Sequence, residues 1–405
     1  MGSKAPSYRT LILISCLAGL GCFTAANMRI PILPLYARSL GVGAIGIGII
    51  NSLYMMAAAT LSMPLGILSD RLGRKRLVLA GILVTALSSL LLALSRNFPQ
   101  IMIVNAFAGF GIGAFTPTMM SFVADFSPMT HRGRSYAWYT MATYLGMSLG
   151  PALGGFFAQL LSYQWVFTIS AILGFIVFST TLFSFPKANP EHHDRTPRRD
   201  SRKIIRELSG NNPLVACWLV TLFTSLGVGV CISFLALHAS DQGIGVGKIG
   251  LIFGTQAMVN VIGRIPFGYL GDRVAHRSDL VLTGVLAYSI SILGIGLSTS
   301  LAMFFISAVV MGIGMGISFT AVGALIPELV PPDSVGFAMG GYSACIYFGM
   351  MLSSSTMGAV AGEFGFRACF LITAGLIAIG AVAFSLIFKP TSVAQAAVEA
   401  VDSDR

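Results

Sequence analysis

Long apolar stretches, separated by charged or turn residues, recur along the whole of this chain. A helix needs about 20 residues to cross the ~30 Å hydrocarbon core of a bilayer, whereas the strands of a membrane barrel are only about 10 residues long. Because the stretches are of helical length, we predict an all-α membrane protein with twelve transmembrane helices. The predicted spans are residues 9–35, 44–67, 77–95, 100–124, 135–160, 164–186, 213–238, 247–270, 280–298, 301–326, 337–361 and 366–388.

The composition excludes the main soluble classes. Charged residues make up 10% of the 405 residues, against about 25% in a soluble domain, and too few polar side chains are present to cover a soluble surface of this size. The six cysteines lie inside apolar stretches without metal-ligand or disulfide-like spacing. The sequence shows no cluster of catalytic side chains and no nucleotide-binding loop. We therefore predict that the protein is not an enzyme, and we expect no cofactor, no metal site and no nucleic-acid partner.

The sequence contains an internal repeat. The string GILSDR at 66–71 recurs as GYLGDR at 268–273, an offset of 202, and the glycines of 109–113 recur in 312–316 at an offset of 203. A near-constant offset across several helices indicates duplication, and paired six-span repeats are a transporter architecture. We predict two pseudo-symmetric six-helix bundles, with these limits: a first bundle 1–186, a cytoplasmic linker 187–212, a second bundle 213–388 and a cytoplasmic tail 389–405.

The basic residues predict the orientation. If the linker is cytoplasmic, the loops and termini on its side hold nineteen of the 25 Lys and Arg residues, and the opposite side holds four. This asymmetry follows the positive-inside rule, which places both termini in the cytoplasm and the chain in the cytoplasmic (inner) membrane. It also accounts for the net charge of +10 without an anionic partner.

The loop after the second span reads GILSDRLGRKR at 66–76. This string resembles the signature loop of the major facilitator superfamily, and a degraded copy follows the eighth span. A carboxylate at the membrane edge can hold the N-terminus of a neighbouring helix through its dipole. The resemblance implies a charged latch between the bundles, although a role as a topology anchor also fits. The residues of this predicted gating motif are Gly66, Asp70, Arg71, Gly73, Arg74, Asp125, Arg134, Asp272 and Arg273.

The fifth span contains the string GMSLGPALGG at 146–155. It resembles the antiporter motif of twelve-span drug:proton exporters of the superfamily, in which small residues let helices approach closely and a proline bends the helix. One residue departs from the exporter pattern, because Asn105 stands where an arginine is usual. The residues of the predicted antiporter motif are Gly146, Gly150, Pro151, Gly154 and Gly155.

Substrate-binding candidates are polar residues inside the spans. Gln256, Asn260 and Arg264 follow one another at four-residue steps and form one helix face. Eighth-span arginines of this kind resemble those of monocarboxylate and oxalate porters, which bind a carboxylate; a structural bond to the fifth span is the alternative. Arg29 of the first span either binds substrate, gates, or extends to the membrane interface. The remaining candidates are Asn27, Asn105, Thr140 and Tyr144, whereas His238 is predicted to lie at the surface.

Two functions stay open. The duplication and the motifs favour a secondary transporter that exports a small organic solute by alternating access. The arginines, and the absence of a carboxylate well inside any predicted span, favour instead a carrier or facilitator of organic anions such as monocarboxylates, which would use Arg264. We expect a monomer in the lipid bilayer, with a small-molecule substrate and either a coupling proton or an exchanged anion. A cavity lined mainly by spans 1, 4, 7 and 10, with polar residues from spans 5 and 8, is expected.

Overall fold

The computed structural model describes residues 8–128, 131–185, 208, 210–273, 277–331 and 334–388. Except for Leu208 and 210–212, the predicted linker lies outside the described residues, as does the whole predicted tail. The helices are α1 Tyr8–Met28, α2 Ile32–Ser39, α3 Ala44–Leu72, α4 Arg74–Leu94, α5 Phe98–Phe126, α6 Arg132–Leu160, α7 Tyr163–Ser184, α8 Asn212–Val230, α9 Ala236–Asp241, α10 Val246–Arg273, α11 Arg277–Leu297, α12 Leu301–Glu328 and α13 Val335–Ile387; a π-helical turn, Cys231–Leu235, joins α8 to α9.

Within the described residues, ten helical stretches are long and apolar enough to cross a membrane. One of them is α13, which Gly365 divides into two membrane-length parts because its φ of +79° breaks the helical backbone. Helix α6, of 29 residues, is an eleventh long helix and carries more polar residues. The predicted twelve-helix architecture is therefore confirmed. The predicted first span differs in detail, since it breaks at Met28 and resumes as α2 after Pro31.

Equivalent contacts recur in the two halves and show their pseudo-symmetry. A Cβ atom on Gly146 of α6 would lie 2.5 Å from the Leu20 carbonyl oxygen of α1, and a Cβ atom on Gly349 of α13 would lie 2.5 Å from that of Leu222 in α8. The turns after α2 and α9 are likewise matched, because Gly41 and Gly243 both adopt a positive φ, of +80° and +76°. Helices α1 to α7 form the first bundle, and α8 to α13 form the second.

Corresponding ion pairs also join the equivalent helix ends of the two halves. Arg74 pairs with Asp125 between α4 and α5, and Arg277 pairs with Glu328 between α11 and α12. Both pairs are related by an offset of 203. They lie at the end of the bundles that holds Gly73, which we call the basic end. The end that holds the Gly41 and Gly243 turns is the distal end.

The two bundles meet along two helix pairs, α3 against α13 and α6 against α10. The hydrogen bonds that join them include Asn51 Nδ2 to Ser233 Oγ at 3.1 Å, Ser52 Oγ to the Met351 carbonyl at 2.9 Å and Ser148 Oγ to the Gly254 carbonyl at 3.0 Å. All three lie in the distal half of their helices. The bundles are therefore held together at the distal end.

Candidate substrate cavity and bundle interface

A cavity of about 380 Å³ lies against the bundle interface. This volume is within the roughly 300–1,000 Å³ typical of small-molecule sites. Most of its walls come from the first bundle, and the second bundle contributes Ile232, Tyr347 and Met350. The first-bundle residues around it are Phe23, Ala26, Asn27, Arg29, Ile30, Leu33, Asn51, Tyr54, Met55, Asn105, Ile112, Thr116, Met120, Tyr139, Thr140, Thr143, Tyr144 and Met147.

This lining differs from the one expected from the sequence. Residues of α3 and α13 contribute to the cavity, whereas no described residue of α10 or α12 does. The difference arises because α3 packs on α13 along the interface and brings Asn51 and Tyr54 beside Tyr347. Five of the predicted substrate-binding residues line the cavity together, namely Asn27, Arg29, Asn105, Thr140 and Tyr144.

Arg29 supplies the only charged side chain among the described residues that line this cavity. It lies in the turn between α1 and α2 and is 4% exposed, so it does not extend to the membrane interface. Its Nη1 and Nη2 atoms are buried without a hydrogen-bond partner, and its guanidinium lies 5.5 Å from the centre of the Tyr54 ring. A charged side chain at bilayer depth costs on the order of 2.5–3.5 kcal/mol, and a cation–π contact returns roughly 0.5–2 kcal/mol of this.

Two asparagines that line the cavity donate hydrogen bonds from their side-chain amides to backbone carbonyls. Asn27 donates to the Phe23 carbonyl at 2.7 Å, and Asn105 donates to the Ile50 carbonyl at 3.0 Å. Asn105 therefore ties α5 to α3. These bonds hold the side chains in fixed orientations at the wall of the cavity.

The polar face of α10 lies behind the cavity wall. Arg264 donates from Nε to Asn260 Oδ1 at 3.2 Å, and its guanidinium lies 3.8 Å from the centre of the Tyr144 ring of α6. Asn260 and Gln256 contact α12, through the Gly312 carbonyl at 3.5 Å and Met315 Sδ at 3.4 Å. Arg264 thus contacts the fifth span through an aromatic ring, and Gln256 and Asn260 bind the neighbouring α12 within their own bundle.

The glycines of 146–155 allow α6 to pack on two helices. Cβ atoms on Gly146, Gly150 and Gly154 would collide with the backbone or Cβ of α1, at Leu20, Thr24, Asn27 and Met28. A Cβ on Gly155 would instead lie 2.7 Å from the Gly250 Cα of α10, in the other bundle. Pro151 is buried between these contacts, and its carbonyl would lie 2.5 Å from a Cβ on Gly250. These glycines therefore allow α6 to pack on α1 within its own bundle and on α10 of the other bundle.

Comparison with known proteins decides the family. The model of the Major Facilitator Superfamily matches residues 15–239 and 217–403. This chain belongs to the Major Facilitator Superfamily. It is therefore a multi-pass membrane transporter, and the resemblance noted in its loops is confirmed.

Relatives and solved structures of the superfamily match over nearly the full length. Multidrug resistance protein MdtG of Klebsiella pneumoniae is 27% identical over 95% of this chain and 95% of its own. An uncharacterized transporter of Methanocaldococcus jannaschii is 24% identical over 86% of this chain and 92% of its own. The fold is similar to that of the nucleoside transporter NupG (TM-score 0.79, 14% identity, 94% of this chain and 100% of that one). It is also similar to a bacterial homologue of the human lysosomal transporter Spinster in an inward-facing and unoccupied conformation (TM-score 0.78, 16% identity, 95% and 98%).

The superfamily's signature loop lies at the basic end, where α3 turns into α4. Gly73 has a φ of +90°, a backbone conformation that favours glycine and permits the tight turn. Arg74 pairs with Asp125 and lies 3.5 Å from Ser69 Oγ, while Arg134 is exposed in the first turn of α6. The other residues of the predicted gating motif lie outside those whose side chains the structure describes; they are Gly66, Asp70, Arg71, Asp272 and Arg273.

Two contacts of this transporter were not anticipated from the sequence. At the distal end, Arg38 Nη1 donates to Asp241 Oδ1 at 2.5 Å across the bundle interface. Deeper in the protein, Asn51 binds Ser233, whose Oγ donates to Ser354 Oγ at 2.9 Å. The offset of 203 between Arg38 and Asp241 is the only sequence signal for the first contact, and it is a weak one because the residue types differ.

His238 lies in the interior of the protein and not at its surface, so its predicted position is wrong. It was expected at the surface, but it is 5% exposed and lies between the rings of Phe304 and Phe370. Its Nε2 is 3.1 Å from the Ile295 carbonyl oxygen. The reason is that α9 continues the line of α8 through the π-helical turn, which turns this side chain toward α11 and α12.

Proposed function

We propose that this transporter exports small amphipathic organic solutes across the cytoplasmic membrane by alternating access. The observation that carries the proposal is the position of the cavity, at the interface of two bundles whose direct hydrogen bonds, among the described residues, lie in the distal half of the helices. If these contacts separated, the cavity would open to the distal end. If they formed again, the cavity would be accessible only from the basic end. The multidrug resistance relatives, at 27% identity, support export as the direction.

We place the two moving bodies at 1–186 and 213–388, joined by 187–212, with both termini and the linker in the cytoplasm. The basic end is then the cytoplasmic end, in agreement with the positive-inside rule. The gating motif at this end, with Asp70 as the latch, would hold the bundles together when the distal end opens. The gradient that drives transport is a proton gradient or the gradient of an exchanged anion.

A disulfide across the distal interface tests alternating access. In a background without the six native cysteines, Ala152→Cys and Gly254→Cys join α6 to α10, since a Cβ on Gly254 would lie 3.1 Å from the Ala152 Cβ. A matched pair, Ala86→Cys and Gly174→Cys, has a corresponding distance of 2.8 Å and joins two helices of the same bundle. Each pair must separate by roughly 0.5–1 Å to reach the ~3.8 Å typical of disulfides.

We expect the first cross-link to stop efflux of a neutral dye and an anionic dye from loaded vesicles, and reduction to restore it. The second cross-link should leave efflux unchanged, because alternating access needs no movement within a bundle. Full efflux with the distal cross-link in place would contradict the proposal. So would a failure of the uncross-linked protein to export both dyes.

A second function, an organic-anion carrier that uses Arg264, is favoured by the polar face of α10. Against it, the Arg264 guanidinium is engaged by Asn260 and Tyr144, and Arg264 does not line the cavity. If Arg264 bound the substrate directly, Arg264→Ala would weaken binding of anions more than that of neutral ligands. Equal effects on both classes would assign it to the bundle interface.

A further inference from the structure

The charge on the described residues that line the cavity is of one sign, positive. Arg29 contributes a positive charge. The described residues that line the cavity include no Asp or Glu, and the Tyr54 ring, 5.5 Å from the guanidinium, carries no charge that would offset it. The cavity is therefore electropositive, in a part of the protein where low polarity strengthens electrostatic interactions.

Arg29 is incompletely paired within the protein. Its Nη1 and Nη2 atoms are shielded from solvent and make no well-aligned hydrogen bond to a described residue, although the Tyr54 side chain lies beside the guanidinium. Such incomplete pairing is unusual because buried charged donors are nearly always paired. Arg264, the other arginine inside the spans, makes both a hydrogen bond and a close ring contact. The two arginines thus differ, since Arg264 has a hydrogen-bond partner, whereas Arg29 lines the cavity with Nη donors that lack one.

The rest of the cavity is suited to an apolar body. Arg29 and Asn105 lie toward its distal, closed side, whereas Met120 and Tyr139 lie toward the basic end. Between them the walls are formed largely by aliphatic, methionine and aromatic side chains, which adapt to varied apolar shapes. A ligand with a charged head at Arg29 would therefore place an apolar tail toward the basic end.

We propose that Arg29 is the anion-binding residue of the cavity and that the substrates are amphipathic organic monoanions. A carboxylate, sulfonate or phosphonate head accepts hydrogen bonds from Nη1 and Nη2, in the forked geometry that guanidinium groups offer. Tyr54 positions the guanidinium through its ring. This proposal rests on the proposed function, because it takes the cavity as the substrate site.

The test compares ligands that share a body and differ in head. Phenylbutyrate, phenylbutyramide and phenylbutylamine carry an anionic, a neutral and a cationic head on the same phenylalkyl framework. Binding to the purified full-length protein is measured by calorimetry in lipid nanodiscs. We expect wild-type protein to bind phenylbutyrate about tenfold tighter than the amide, and the amine most weakly.

The variants assign this preference to one residue. Arg29→Met should bind phenylbutyrate and the amide with similar affinity, Arg29→Lys should retain part of the preference, and Arg264→Met, as the matched control, should retain all of it. Equal binding of phenylbutyrate and the amide by wild-type protein would overturn the proposal. A preference that survives in Arg29→Met, or that disappears in Arg264→Met, would overturn it as well.

A measurement on wild-type protein covers the case in which Arg29→Met does not fold. Phenylglyoxal modifies arginine, and peptide mass spectrometry reports its rate at Arg29. We expect phenylbutyrate to slow this modification and the amide to leave it unchanged; equal rates with both ligands would contradict the proposal. These outcomes are independent of the distal cross-link, so a transporter that alternates but shows no head-group preference would lose the anion proposal alone.

Discussion

The guanidinium of Arg264 lies 3.8 Å from the centre of the Tyr144 ring, and this contact joins α10 of the second bundle to α6 of the first. Tyr144 also lines the cavity, so the same ring has one contact with the opposite bundle and another with the space where substrate is proposed to bind. The Tyr144 ring therefore contacts both the opposite bundle and the cavity. The predicted antiporter motif begins only two residues later in α6, at Gly146.

A double-mutant cycle measures this contact. We expect Arg264→Met and Tyr144→Leu each to lower stability, with a coupling free energy of about 0.5–2 kcal/mol because the cation–π interaction needs both groups. Tyr144→Phe keeps the ring and should retain most of the coupling. The measurement is reversible unfolding in mixed micelles, and strictly additive effects of the two variants would argue against an energetic contact.

Gly154→Ala tests the close packing of α6 on α1. The new Cβ would lie 2.9 Å from the Met28 carbonyl carbon, a distance at which backbone must move. We expect a loss of about 1–3 kcal/mol, as for other overpacked sites, seen as a lower melting temperature. The control is Gly375→Ala in α13, where a Cβ meets nothing within 4 Å. That variant should melt at the wild-type temperature or higher, because alanine favours the helix.

A charge reversal tests the distal ion pair. Arg38→Asp places two carboxylates together and should reduce the population closed at the distal end, whereas adding Asp241→Arg should restore it. The effect of an exposed pair is small, roughly 0.2–1 kcal/mol, so the readout is the distance distribution between spin labels on the two bundles. Arg96→Asp, exposed at the same end, is the control. If the double reversal failed to restore this population, the Arg38–Asp241 pair would not be what stabilises the closed distal end.

The signature loop gives a functional prediction from the sequence. We expect Asp70→Asn to abolish most transport with nearly normal expression, because the substitution removes the charge of the proposed latch and changes little in shape. Asp279→Asn, in the exposed first turn of α11, removes an equal charge at the same end and should transport normally. Efflux from vesicles with matched protein content is the measurement. Full activity in Asp70→Asn would remove the latch from the mechanism.

Some contacts of the site could be anticipated, and others could not. The glycines of 146–155 predicted close helix approach from residue type alone, because only glycine allows backbone carbonyls to come within contact distance of the neighbouring helix. The burial of His238 could not be predicted, since it depends on a π-helical turn that has no sequence pattern of its own. The pairing of Arg38 with Asp241 depends on the relative placement of two bundles, and no local sequence rule specifies that.

The membrane architecture, the duplication and the superfamily could be predicted from the sequence, because apolar length, repeat offset and loop motifs are properties of the chain read in order. Which polar residues share a cavity depends on how the helices pack. Arg29 and Arg264 are equally plausible in sequence as buried cations. Packing gives Arg264 an aromatic and an amide partner, and leaves the donors of Arg29 unpaired at the cavity wall. That difference arises from contacts between residues far apart in the chain, so it emerges only when the helices are assembled.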